Sequence, residues 1–221
     1  MVNILFSKYN FDDEWAEPFI KNYITAEDKV CIIPFSFSDK WISCIEDWHN
    51  SYDKDGGKYY DDLVKPFMNY GISEDNITML NYFEDSSEKM KEDIKKSDVI
   101  FLTGGLPEKA VERVHEKGLL QSIKGSQVVV GSSAGALMQL AHYHISPDDD
   151  YDEFCYFDGI GLVDKNFYVE VHYENSDVQN ESIEKVLREK TDKVYAITNN
   201  GGIIVDDGKV RTLGEVEIFK R

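Results

Sequence analysis

One serine lies in the setting that covalent catalysis requires. The apolar run over residues 127–130 leads into the sequence GSSAG over 131–135, and a helix is predicted to follow. A G-x-S-x-G segment between a buried strand and a helix presents its central serine on a sharp turn, above the positive end of the helix. The alternatives are a strand-to-helix turn without chemistry and a loop that holds a phosphate. We interpret Ser133 as a nucleophile.

A pair of glycines is placed to supply backbone donors for acyl transfer. The strand predicted over 98–103 ends in Gly104 and Gly105, where a neighbouring parallel strand would bring these amides beside Ser133. Two N–H donors directed at the developing oxyanion lower the barrier to acyl transfer, and losing one typically costs ~3–4 kcal/mol. Gly105 and Ala134, the residue after the serine, are the predicted donors. The alternative is that the glycines only turn the chain.

One histidine is placed to act as a base for that serine. The chain contains five histidines, which are His49, His115, His142, His144 and His172. His172 closes an apolar run, and catalytic groups on α/β sheets usually lie at such strand ends. His142 and His144 alternate as a metal-binding pair would, but the acidic run over 148–150 is more typical of a solvated loop, so we predict no metal site. A structural histidine is the alternative for His172.

Strands that alternate with amphipathic segments would position these residues. Strands are predicted over 2–6, 29–35, 77–83, 98–103 and 127–130, and helical segments over 11–24, 41–48, 63–70 and 86–96 and after residues 107 and 133. The strands over 29–35 and 98–103 are apolar on both faces, as in a parallel sheet covered on both sides. This alternation predicts an α/β fold with a largely parallel sheet between helix layers.

The pattern changes beyond residue 141. An acidic loop over 146–153, a strand over 167–173 and a helix over 177–190 are predicted there. The tail over 194–219 reads as short strands with turns at 199–202 and 207–208, and we expect it to extend the sheet. No linker divides the chain, so we predict a single domain over residues 1–221.

Composition and charge argue against several classes of protein, namely nucleic-acid-binding, membrane and secreted proteins. The chain has 42 acidic against 24 basic side chains, a net charge of −18, which disfavours nucleic acid and membrane surfaces as partners. No apolar run approaches the roughly 20 residues that span a bilayer, and charged residues follow the first six too closely for a signal peptide. The three cysteines, Cys31, Cys44 and Cys155, are scattered, which indicates a reducing compartment. We therefore expect a cytoplasmic protein.

Taken together, the motifs resemble the S51 serine peptidases, which include dipeptidase E and cyanophycinase. The matching segments are FLTGG over 101–105, GSSAGA over 131–136, DGIGL over 158–162 and VHY over 171–173. The resemblance covers most of the chain and implies a three-layer αβα sandwich related to class I glutamine amidotransferases. It also implies that Ser133 is the nucleophile and His172 the general base, with Gly105 and Ala134 as the oxyanion hole.

The chain departs from the family pattern at three positions. Leu106 follows the two glycines where the family usually has asparagine. Asn199 stands where a glutamate orients the histidine in the family, and Asp148 and Glu174 are rival partners for that histidine, although we favour Asn199. The aspartate-selective members carry an arginine downstream of the histidine, and Arg188 is the only nearby candidate here, so a preference for aspartate is not carried over.

The sequence predicts a serine-type peptidase that hydrolyses short peptides or peptide-like amides. The resemblance implies small substrates with a free N-terminus, and neither a metal nor an organic cofactor is expected. A catalytically silent binding protein on the same scaffold is the alternative, favoured by the missing acid. An amidotransferase-type glutaminase would need a cysteine at position 133, where this chain has serine. Assembly into a homodimer is left open.

Overall fold

A mixed, mostly parallel eight-stranded sheet forms the centre of the structure, a computed structural model that describes residues 1–163 and 165–221. Its strands lie in the order β10-β9-β1-β5-β4-β2-β3, and β8 pairs with β9. The strands are β1 (Val2–Phe6), β2 (Val30–Ile33), β3 (Ile77–Met79), β4 (Val99–Leu102), β5 (Val128–Ser132), β6 (His142–Ile145), β7 (Cys155–Asp158), β8 (Tyr168–Glu170), β9 (Lys193–Asp206) and β10 (Lys209–Lys220). Strands β6 and β7 form a separate antiparallel pair.

Helices cover both faces of this sheet. They are α1 (Glu17–Ile20), α2 (Ile45–Tyr52), α3 (Tyr60–Met68), α4 (Ser87–Lys96), α5 (Pro107–Glu116), α6 (Leu120–Lys124), α7 (Ala134–Leu137) and α8 (Asp177–Glu189). Phe101 of β4 packs with Phe67 of α3, whereas its neighbour Leu102 belongs to the core on the opposite face with Met90 of α4 and Val114 of α5. Apolar side chains on both faces of one strand are what a sheet between two helix layers requires. The expected three-layer α/β fold is therefore confirmed.

Strands β8 and β1 run in opposite directions along the same side of β9, and their carboxyl ends face each other. β8 runs parallel to β9 and pairs Glu170 with Ala196, whereas β1 runs antiparallel to β9 and pairs Phe6 with Gly202. The carboxyl ends of β8 and β1 therefore meet beside the middle of β9. On its other side β1 pairs in parallel with β5, and Phe6 lies opposite Ser132. The ends of β1, β5 and β8 thus converge on one edge of the sheet.

The tail differs from the sequence prediction. The prediction of a turn at 199–202 is wrong, because β9 runs unbroken through these residues and pairs with β10 on both sides of them. The glycines serve close packing instead of a turn: a Cβ on Gly201 would lie 2.2 Å from the carbonyl oxygen of Glu215, and one on Gly202 would lie 2.5 Å from the ring of Phe6. The predicted turn at 207–208 is confirmed, since it joins β9 to β10.

Several further elements are shorter than predicted, and of the strand predicted over 77–83 only β3 forms. The helical segment over 11–24 contains only the four residues of α1, and the residues before it form turns. The strand over 167–173 is reduced to β8, because the chain leaves the extended conformation at His172, where φ is 52°. Among the described residues, no helix is long and apolar enough to cross a bilayer.

Candidate active site

Ser133 occupies a sharp turn between β5 and α7. Its φ of 53° and ψ of −115° are strained for a residue with a side chain, and its amide donates to the carbonyl of Phe6 at 2.8 Å. Small neighbours make this turn sterically feasible. A Cβ on Gly131 would lie 2.1 Å from the carbonyl oxygen of Gly135, and one on Gly135 would lie 1.9 Å from that of Leu102. The turn thus holds the serine hydroxyl at the carboxyl edge of the sheet.

The structure brings Ser133, His172 and Asn199 into one hydrogen-bonded chain. Nε2 of His172 lies 2.9 Å from Oγ of Ser133, and Nδ1 lies 2.8 Å from Oδ1 of Asn199. Because the amide oxygen of Asn199 can only accept, Nδ1 carries the proton of the ring. Nε2 is then the acceptor and faces the serine hydroxyl. This is the tautomer in which an imidazole can take a proton from serine.

The backbone of His172 is fixed from two sides. Its amide donates to Oγ of Ser7 at 3.0 Å, and its carbonyl accepts from Nε2 of Gln179 at 3.0 Å. The Ser7 hydroxyl in turn donates to the carbonyl of Ile197 at 2.9 Å, which ties the loop after β8 to β9. The imidazole is therefore positioned by the end of β1, the middle of β9 and the first turn of α8. Neither Ser7 nor Gln179 was identified from the sequence.

Asn199 lies on β9 where the ends of β1 and β8 meet. Its carbonyl accepts from Nδ2 of Asn10 at 3.0 Å, which anchors this part of the strand. The rival partners lie elsewhere: Oδ1 of Asp148 accepts the amides of Asp150 and Tyr151, so its carboxylate shapes its own loop. Within the described residues, neither Asp148 nor Glu174 makes a hydrogen bond to the ring of His172.

The predicted oxyanion donors lie on both sides of the serine. The Gly104 amide is occupied, because it donates to the hydroxyl of Tyr9 at 2.8 Å. The amides of Gly105 and Ala134 have no acceptor in the described part of the chain, and Ala134 is the first residue of α7, where helix amides are free. Gly105 has φ of 133°, and a Cβ there would lie 2.2 Å from the carbonyl oxygen of Ser36. Position 105 therefore requires glycine.

Tyr9 supports this glycine turn as a neutral phenol. Burial raises its pKa to about 12, although the hydrogen bond from the Gly104 amide acts in the opposite direction. The hydroxyl consequently keeps its proton at physiological pH and accepts from Gly104 through a lone pair. A Cβ on Gly104 would lie 3.1 Å from this hydroxyl and 3.3 Å from the Cβ of Ser133, so the turn lies against the serine.

Two cavities flank the Gly104–Gly105 turn. One has a volume of about 550 Å³ and is lined by Ser133, His172, Gly105 and Ala134 together with several carboxylates. The other has a volume of about 790 Å³ and is lined by aromatic and mixed-charge side chains that include Tyr9. Arg188, the arginine considered from the sequence, lines neither of them and lies in a separate surface depression.

A buried polar cluster forms part of the wall of the first cavity. Oε2 of Glu170 accepts from Nε2 of His144 at 2.7 Å and from Oγ of Ser146 at 2.8 Å. From the sequence, His142 and His144 were considered as a metal-binding pair and rejected, and Glu170 was not identified. A charged residue inside the apolar run that leads to His172 was the available signal. No group of three or more potential metal ligands occurs in residues 1–163 and 165–221.

The remaining histidines lie apart from this site. His49 pairs with Asp53 and His142 with Asp158, and both histidines are at least partly exposed. His115 is exposed on α5. His172 is thus the histidine that contacts Ser133.

Comparisons with known proteins show the family and the fold of the chain. The model of peptidase family S51 matches residues 7–213. A protein of Listeria monocytogenes EGD-e, provisionally described as a peptidase E, superposes with a TM-score of 0.66 at 20% identity, covering 97% of this chain and 98% of that one. A peptidase from an acI-B1 Actinobacterium superposes with a TM-score of 0.67 at 17% identity, covering 99% of this chain and 90% of that one. No curated protein matches the chain in sequence.

The structural matches and the family-model match support different conclusions. At 17% and 20% identity, the solved structures show a shared fold. The family model matches residues 7–213, which is nearly the whole sequence. The chain therefore belongs to peptidase family S51.

Proposed function

We propose that this peptidase is of the serine type and hydrolyses short peptides or peptide-like amides. The observation that carries the proposal is the chain of contacts from Ser133 Oγ through the imidazole of His172 to Asn199 Oδ1, with distances of 2.9 and 2.8 Å. A hydroxyl, a base and a group that orients the base are the parts that nucleophilic acyl transfer requires.

In the proposed acylation, Ser133 Oγ attacks the carbonyl carbon of the scissile amide while Nε2 of His172 takes the hydroxyl proton. The carbonyl oxygen becomes an oxyanion that accepts from the amides of Gly105 and Ala134. When the tetrahedral intermediate collapses, the C–N bond breaks and Nε2–H of His172 protonates the leaving amine. The acyl group is then bonded to Ser133.

Deacylation reverses these roles. Water gives a proton to Nε2 of His172 and attacks the acyl carbon, and the same two amides hold the second oxyanion. The bond to Ser133 Oγ then breaks, and His172 returns the proton to the serine. Asn199 keeps the proton on Nδ1 throughout, so Nε2 stays directed at the reacting atoms.

Short substrates fit the dimensions of the site. A cavity of about 550 Å³ is in the range that holds a small molecule or a few residues. We propose that peptides of a few residues with a free N-terminus are cleaved faster than folded proteins. Digestion of casein at a rate comparable to that of a dipeptide library would argue against this preference.

The nucleophile assignment is tested by Ser133→Ala. Because the hydroxyl forms a hydrogen bond with His172 and with no other described residue, its loss should leave the fold intact and abolish hydrolysis of any peptide that the native protein cleaves. A fluorophosphonate probe should label the native protein at Ser133 and leave the variant unlabelled. Wild-type turnover by the alanine variant would rule out this nucleophile.

A second candidate function follows from the residue at position 199. An amide cannot stabilise an imidazolium as a carboxylate does, which favours a binding protein that has kept the scaffold and lost its turnover. Such a protein would bind peptides without hydrolysing them, and a fluorophosphonate would not label Ser133. The same labelling experiment therefore separates the two candidates.

A further inference from the structure

The Gly104–Gly105 turn is held by hydrogen bonds on both sides of Gly105. The Gly104 amide donates to the Tyr9 hydroxyl at 2.8 Å, and the Leu106 amide donates to the carbonyl of Ser36 at 2.6 Å. The Gly104 carbonyl accepts from the Ser36 hydroxyl, its one donor in the described part of the chain. Of the three amides of the turn, only that of Gly105 has no acceptor among the described residues. The turn therefore leaves free the amide that acyl transfer would use.

The orientation of the peptide group between Gly104 and Gly105 decides where that free amide points. Both residues lack a side chain and Gly105 has φ of 133°, so little in the turn itself resists rotation of this peptide. In a trans peptide the carbonyl and the amide hydrogen point to opposite sides. A hydroxyl that holds the Gly104 carbonyl therefore also sets the direction of the Gly105 N–H. Ser36 lines the cavity of about 790 Å³ and Gly105 lines both cavities, so the amide, turned away from Ser36, faces the cavity that contains Ser133.

Ser36 is itself fixed in place. The residue is 1% exposed, and its Oγ lies 3.0 Å from Oγ1 and 3.1 Å from the carbonyl oxygen of Thr103. The carbonyls on either side of it, those of Phe35 and Phe37, accept from Nη1 of Arg113 at 2.6 and 2.7 Å. Arg113 is buried as well, and its planar guanidinium imposes one geometry on both carbonyls. The Ser36 hydroxyl thus has a defined position from which it holds the turn.

We propose that Ser36 is a positioning residue for the oxyanion hole: its hydroxyl fixes the Gly104–Gly105 peptide so that the Gly105 amide is directed at the oxyanion formed beside Ser133. The proposal rests on the proposed function, because it concerns the same acyl transfer. In this role Ser36 contacts no reacting atom and acts through the peptide that it holds. A donor lowers the barrier most when it is already aimed at the place where charge develops. Without the hydroxyl the peptide is free to rotate, and its carbonyl, an acceptor, then takes the place of the donor.

Steady-state kinetics on a cleaved dipeptide tests the proposal. Ser36→Ala should lower kcat by about tenfold to a hundredfold, because outright loss of an oxyanion donor costs about 10²–10³ in kcat and here the donor is displaced. KM should change little, since the interaction with the oxyanion is made only in the transition state. The control is Ser182→Ala, which removes a buried hydroxyl that donates to the carbonyl of Val178 and should leave kcat unchanged. Native kcat in Ser36→Ala, or a loss confined to KM, would overturn the proposal.

The rate of fluorophosphonate labelling is a second readout and needs no peptide cleavage. In this reaction Ser133 Oγ bonds to phosphorus, fluoride leaves, and the hydroxyl proton passes to Nε2 of His172, while the phosphoryl oxygen accepts from the amides of the hole. Ser36→Ala should therefore be labelled at least about tenfold more slowly than the native protein, and Ser182→Ala at the native rate. Labelling of Ser36→Ala at the native rate would contradict the proposal.

Crystal structures of the native and Ser36→Ala proteins test the positioning without any chemistry. We expect the Gly104 carbonyl to point to Ser36 in the native protein, and to be rotated away or to occupy two orientations in the variant. A single, unchanged orientation in the variant would overturn the proposal. Because this comparison needs neither turnover nor labelling, a native protein that is inactive in both assays would count against the proposed function only. If Ser36→Ala does not fold, Ser36→Cys takes its place in all three measurements, since it keeps the shape and replaces the hydroxyl by a weak donor.

Discussion

At the scale of single residues, the side chain at position 199 limits the turnover expected of the proposed catalytic residues. Asn199 holds the histidine tautomer through Oδ1 at 2.8 Å, but as a neutral amide it offers no full charge to the imidazolium that forms when Ser133 is deprotonated. Asn199 therefore orients the imidazole, but it stabilises the imidazolium less than a carboxylate would. We expect a modest turnover for this reason.

Substitutions at position 199 test its orienting role and its electrostatic role separately. Asn199→Asp should raise kcat/KM, because a carboxylate in the same place both orients and stabilises the imidazolium, whereas Asn199→Ala should lower it by at least about tenfold but by less than the loss of Ser133. Asp148→Asn tests the rival partner and should lower kcat/KM less than Asn199→Ala, since the carboxylate of Asp148 contacts its own loop. Steady-state kinetics on a cleaved dipeptide provides the measurement, and near-native values for Asn199→Ala would reject the role of Asn199.

At the scale of elements, the site depends on strand ends that meet. Ser7, directly after β1, donates to Ile197 of β9 and accepts from the amide of His172, so one buried hydroxyl links three segments. The histidine is held with φ at 52°, a conformation that costs energy unless its surroundings impose it. The hydroxyl of Ser7 is one of the groups that impose it.

Removing this link should affect activity more than stability. Ser7→Ala leaves the His172 amide without its partner, at a cost of ~1–3 kcal/mol, and frees the imidazole to leave its place. The Ile197 carbonyl keeps its hydrogen bond from the Tyr173 amide, at 2.9 Å. Ser182→Ala, which removes another buried serine hydroxyl that donates to Val178 within α8, is the control. We expect both variants to lower Tm, and only Ser7→Ala to lower kcat by about tenfold or more. Equal kcat in the two variants would contradict this role.

The packing of α7 against β4 is a second prediction at this scale. A methyl group on Gly135 would lie 1.9 Å from the carbonyl oxygen of Leu102, so Gly135→Ala must displace backbone. We expect it to reduce the free energy of unfolding by ~1–3 kcal/mol, as overpacking does. Gly125→Ala is the control, because it has φ of −84° and its methyl would meet neighbours at ordinary distances of 3.4 and 3.6 Å. Urea denaturation of both variants should show a loss for the first and little change for the second.

At the scale of the whole molecule, the core on one face of the sheet shields the thiol of Cys31, whereas the thiol of Cys44 is accessible. Cys31 of β2 is fully buried between the sheet and the helix layer that contains α4, and burial raises the pKa of its thiol. Cys44, just before α2, is exposed. Because the thiolate is the reactive form, both access and ionisation disfavour reaction at Cys31.

Thiol labelling therefore reports on the integrity of the fold. Iodoacetamide at pH 8 should modify Cys44 in the native protein and reach Cys31 only when denaturant unfolds the sheet. Mass spectrometry of the digested protein gives the extent of modification at each site. Modification of Cys31 at the rate of Cys44 without denaturant would mean that this core opens readily under native conditions.

The elements near the site were predictable to different degrees. The strands β4 and β5 and the two glycine-rich turns that follow them were predicted, because local apolar runs and small residues encode them directly. The glycines of 199–202 were read as a turn, since a sequence does not show whether glycine permits a bend or the close approach of another segment. Here Glu215 and the ring of Phe6 occupy the space that side chains would fill.

The sequence by itself determined the α/β class, the serine and glycine turns, and the family. Only the tertiary structure decided which groups meet. Asn199, Asp148 and Glu174 were open as partners of His172, and the head-to-head arrangement of β1 and β8 along β9 brings Asn199 to the ring. Hydrogen bonds between residues far apart in the chain depend on how strands are ordered in the sheet, and no local pattern encodes that order.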